Sequence, residues 1–149
     1  MIYHDADRDL LRSIVMRDAQ VSRPSMEKLG RRRVFLLLLA GTAVAAERRF
    51  GRRIDDAALH RFVQEMEIRF AATTHPIDPE VARAVLGAAL GRPDLLSEVD
   101  DRAMTTTMVL MTHTIINDLQ PTQAQIEDFC GDAIALADTL TPAAIPHQR

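Results

Sequence analysis

His113 lies in the segment MTTTMVLMTHTIIND, residues 104–118, and its neighbours are of the types that build a binding pocket. Wound as a helix, Met104, Met108, Met111 and Ile115 fall along one seam, with Thr106, Val109, Leu110, His113 and Asn117 around the remainder. Thioethers adapt to irregular shapes, and helical threonines can bond back to the carbonyl four residues earlier and let the helix bend. A small-molecule pocket lined by Met104, Met108, Met111, His113 and Asn117 is therefore one expectation. The plainer one is that the same spacing serves helix packing, with His113 a hydrogen-bonded interior side chain.

Arginine supplies the second candidate chemistry. Residues 1–53 hold twelve Lys or Arg against six Asp or Glu, a local balance of about +6, while residues 54–149 hold six against fifteen, about −9. Arg31, Arg32, Arg33, Arg48, Arg49, Arg52 and Arg53 could contact nucleic-acid phosphates or an acidic partner. Two points count against nucleic acid. At 1.5 Å per residue a helix between the clusters holds them about 25 Å apart, as two patches rather than a stripe. The net charge is −3, so the acidic half would repel a duplex. The competing expectation is that these arginines pair with the acidic half, within the chain or across a dimer.

Smaller constellations point less far. Asp56 and His60 stand four apart on one helical face, which could be half a metal site or an oriented base; metal sites need three or four ligands, so an ordinary exposed pair beside Arg61 is the favoured expectation. His75, before Pro76, and His147 read as solvent-facing. Glu98, Asp100 and Asp101 lack the glycine and terminal glutamate of a calcium loop. Cys130 falls on an apolar helical stripe and reads as a buried, inert thiol. There is no G-x-S-x-G, phosphate loop, dinucleotide fingerprint, H-E-x-x-H or C-x-x-C, so nothing asks for an enzyme, a cofactor or a metal.

The elements that position these groups read as helices throughout, since no run alternates with period two. A first helix is expected over about 7–19, followed by a break at VSRPS around Pro24. A second should run from about 25 to 50, stopped by Gly51. A start at Gly30 would crowd three arginines at the positive end of the helix dipole. A third spans about 55–71 with Leu59, Phe62, Val63, Met66 and Phe70 on one face. A fourth begins at Asp78-Pro79-Glu80 and ends before Gly91-Arg92-Pro93. A fifth runs from about 94 to 119 with a bend near 99–101. A sixth opens on the Thr122-x-x-Gln125 capping box. The predicted fold is all-α: a single domain over 1–141, a compact bundle of five to six helices around a central apolar helix, with a frayed tail over 142–149.

That central helix carries thirteen uncharged residues, Val34 to Ala46, between arginine clusters. Thirteen helical residues cover about 20 Å, short of the roughly 30 Å of a bilayer core, so no membrane span is expected. A lone cysteine and an acidic N-terminus without a secretory pattern point to the cytoplasm. Five Phe, one Tyr and no Trp are few rings for stacking bases. The leading functional expectation is a non-enzymatic helical interaction or regulatory module, homo-oligomeric or bound to a protein partner. A nucleic-acid regulator using the arginines and a small-molecule sensor using the 104–117 helix are the alternatives.

Overall fold

A computed structural model describes residues 2–51, 55–73 and 76–140, with only the backbone of residues 2–4 and Pro93. Arg52, Arg53, His75, His147 and the tail over 142–149 lie outside the described residues. Within them the chain forms seven α-helices, a 3₁₀ turn and no strand. The helices are α1 (Ile2–Met16), α2 (Ala19–Leu29), α3 (Arg31–Phe50), α4 (Asp56–Phe70), α5 (Pro79–Ala89), α6 (Asp101–Asp118) and α7 (Gln123–Thr139), with the 3₁₀ turn at Pro93–Leu96 between α5 and α6.

The extra helix comes from Gly30. Its φ of 85° and ψ of 163° break what the sequence led us to expect as one helix over 25–50. Glycine enters this region at little cost, and α3 starts directly after it, with three arginines in its first turn. Crowding the positive end of the dipole costs about 0.3–1 kcal/mol per charge. It is offset by acids from other helices: Asp101 meets Arg31 at 2.9 Å, and Asp7 and Asp138 meet Arg33.

Two further boundaries depart from expectation. The chain does not break around Pro24; the proline sits inside α2 on an exposed face. The break comes at Arg17-Asp18, where α1 ends in a Schellman motif. Asp18 N donates to Ser13 O at 2.8 Å, Arg17 N donates to Ile14 O at 3.3 Å, and Arg17 takes a φ of 55°. Asp18 then caps α2 by accepting from Gln20 N. The expected bent helix over 94–119 is instead the 3₁₀ turn and a separate α6, whose N-cap Asp100 accepts from Ala103 N at 3.0 Å. Other caps fall where the sequence put them. Asp78 accepts from Glu80 N with Pro79 at the first position of α5, and the Thr122–Gln125 capping box is made in both directions.

α3 is the central post. Leu36 to Thr42, Ala45 and Ala46 are buried around its whole circumference, and α1, α5, α6 and α7 pack against it. Gly41 allows the closest approach. A Cβ there would come within 3.3 Å of Leu11 Cδ2, 3.6 Å of Phe129 Cζ and 3.8 Å of Thr112 Cγ2, so α1, α7 and α6 meet at this point. Thr42 accompanies them: its hydroxyl donates to Leu38 O and lies 3.1 Å from that of Thr112, satisfying two buried polar groups across the α3–α6 seam. No helix among the described residues is long and apolar enough to cross a membrane.

Candidate functional site

The 104–117 residues divide between core and capping. Met104, Met108 and Met111 are buried among the apolar side chains of the core. His113 and Asn117, one turn apart on α6, close the end of α1. The Schellman bonds satisfy the Ser13 and Ile14 carbonyls, and Val15 O remains. It accepts from Asn117 Nδ2 at 2.8 Å and lies 2.9 Å from His113 Nδ1. Asn117 Nδ2 also donates to His113 O at 2.8 Å and lies 3.1 Å from His113 Nδ1, so the two side chains and the carbonyl form one cluster. A carbonyl left bare at a helix end is a liability, and here two side chains from another helix remove it.

The arginines of α3 are largely engaged within the chain. Arg48 pairs with Asp132 at 2.6 Å and lies over the Phe129 ring. Arg49 pairs with Asp118 and stacks on Phe50 and Phe62, themselves an edge-to-face pair with centroids 5.1 Å apart. Arg69 of α4 shares Asp118. Arg33 grips both oxygens of Asp7, which raises its guanidinium pKa above the ordinary value. Arg31 and Arg32 are the exposed members; the Arg31 side chain is 91 % accessible even while touching Asp101. On α1, Arg8 and Arg12 clamp Glu127 of α7. The Arg12 hydrogen bonds hold the Glu127 carboxyl below its usual range. Behind that clamp Cys130 is fully buried, and burial pushes its thiol up to about 11.

A different group of charged side chains gathers around an open cleft. Asp56 and His60 of α4 border an open cleft of about 570 Å³ between α4, α5 and the 3₁₀ turn. The fold adds Glu80 and Arg83 from α5 and Arg92 from the loop that follows, over an apolar floor of Leu59 and Ala84, with Leu95 at its edge. Among the described residues, no ion pair or side-chain hydrogen bond engages Asp56, His60, Glu80, Arg83 or Arg92. The volume falls in the range of binding clefts generally. A smaller cleft of about 290 Å³, bordered by Arg48, Leu119, Gln125 and Asp128, has its arginine tied to Asp132 and its glutamine committed to the α7 cap.

The sequence reading located Asp56 and His60 but not Glu80, Arg83, Arg92 or Leu95. Their nearest local signal was the punctuation around them, Pro79 before and Gly91-Arg92-Pro93 after. Among the described residues no three His, Cys, Asp or Glu side chains gather so as to hold a metal ion. Comparison with known proteins yields no matching family, no matching curated protein and no matching solved structure.

Proposed function

We propose that the protein is a non-enzymatic helical interaction module, homo-oligomeric and cytoplasmic. The observation that carries this reading is the contrast between its two sets of charges. Most of the arginines on α1 and α3 are spent on holding helices together, whereas the charged groups around the α4–α5 cleft have no ion-pair partner among the described residues. A group of unpaired charges around a partly apolar hollow is suited to recognition: it gives specificity and orientation once a partner supplies the complement. The pairing of Arg33, Arg48 and Arg49 leaves few free cations on α3 for phosphates, which speaks against a nucleic-acid role. The lone buried thiol suits a reducing compartment.

Native mass spectrometry of the purified protein, with its absorbance ratio at 260 and 280 nm, tests this reading. A dimer or higher oligomer carrying no nucleic acid is the expected result. A monomer throughout the micromolar range, or a co-purifying nucleotide ladder, would overturn it.

A further inference from the structure

We infer that the α4–α5 cleft is where two copies of this chain meet, packed about a two-fold axis; the inference rests on the homo-oligomeric reading above and names the surface responsible. With a net charge of −3, two copies repel weakly at long range, so self-association needs a locally balanced contact. The cleft is balanced. Asp56 and Glu80 stand against Arg83 and Arg92, two carboxylates to two guanidiniums, and none is paired among the described residues. A surface built for a different protein can carry one sign and leave the other to its partner. A two-fold contact cannot, because the same patch appears on both sides and must contain both halves of every pair.

Shape agrees with charge. Leu95 stands 40 % exposed at the edge of the hollow, held against α5 where Gly87 has no side chain: a Cβ there would lie 2.4 Å from Leu95 Cδ1. Ridge and groove therefore occur on one face, as mutual packing requires.

The test is charge reversal read by analytical ultracentrifugation. In a two-fold contact Glu80→Arg gives each copy a surplus of positive charge in the cleft, and Arg83→Glu a surplus of negative charge. Each variant alone is expected to self-associate about tenfold more weakly than wild type or worse. Mixed in equal amounts, the two should recover a heterodimer, because the surpluses are then opposite. Neither side chain has a partner among the described residues, so circular dichroism should show both variants folded. A wild-type dimer that both reversals leave intact would overturn this inference while sparing the homo-oligomeric reading. Weakened variants that fail to rescue each other would also overturn it. A wild-type monomer would remove both.

Discussion

Arg33 holds Asp7 by both carboxylate oxygens, and Asp7 is only 1 % exposed, so α1 is fixed to the start of α3 by a pair with almost no access to water. The same guanidinium reaches Asp138 near the end of α7. Three helices distant in sequence converge on one arginine.

The consequence separates members of the Arg31-Arg32-Arg33 triplet. Arg33→Ala leaves Asp7 charged and buried without its main partner, which should cost about 3 kcal/mol. Arg31→Ala removes an exposed contact, where the expected loss is under about 0.5 kcal/mol. Urea denaturation of both variants decides the matter, and equal losses would refute the structural role assigned to Arg33.

Asn117→Ala should destabilise the fold by about 1–2 kcal/mol by removing one partner of Val15 O. His113→Ala should cost a similar amount. Because both act on one carbonyl, the double variant should lose a total different from the sum of the singles. Strict additivity would show that the two side chains do not share this acceptor.

Arg17 adopts a φ of 55°, where an L-residue is disfavoured by about 1–2 kcal/mol and glycine is not. Arg17→Gly should therefore raise stability by about 1 kcal/mol, visible as a higher urea midpoint at unchanged slope. A fall in midpoint would mean that the Arg17 side chain contributes more than its backbone strain costs.

Acid should weaken the α1–α7 clamp. The folded Glu127 pKa lies below its ordinary value of 4.5, chiefly through hydrogen bonds from Arg12, so the folded state binds its proton less readily than the unfolded chain does. The clamp's contribution is fully present above pH 4.5 and is lost as pH falls through the lowered folded value. Glu127→Gln should be less stable than wild type at neutral pH, with the two converging in acid. A constant gap down to low pH would exclude this linkage.

What the sequence disclosed was mostly local. The capping box at Thr122 and Gln125, the Asp78-Pro79 start of α5 and the apolar circumference of α3 are properties of neighbouring residues, and each is found where it was read. The errors share a different cause. Crowding three arginines after Gly30 looked costly because Asp7, Asp101 and Asp138 come from elsewhere in the chain. Pro24 looked like a break because its local preference was weighed without the stronger stop at Arg17 and Asp18. His113 was visible on its helix, but the Val15 carbonyl it faces is 98 residues away. Likewise, Asp56 and His60 are legible as a spacing of four, while Arg83 and Arg92 join them only through the way α5 lies against α4.

The arginines of α3 also set an order of events during synthesis. Asp7 precedes them, but their partners Asp101, Asp118, Asp132 and Asp138 follow, and Glu127 arrives 119 residues after Arg8. When α3 leaves the ribosome it is an apolar rod with charged ends, lacking the α5, α6 and α7 that will wall it in. At roughly 5–20 residues per second, about 4 to 18 s separate the making of Phe50 from that of Asp138. During that interval the N-terminal half carries its basic surplus without the acidic half that balances it. The ion pairs that tie α1 and α3 to the bundle are complete only once α7 has been made.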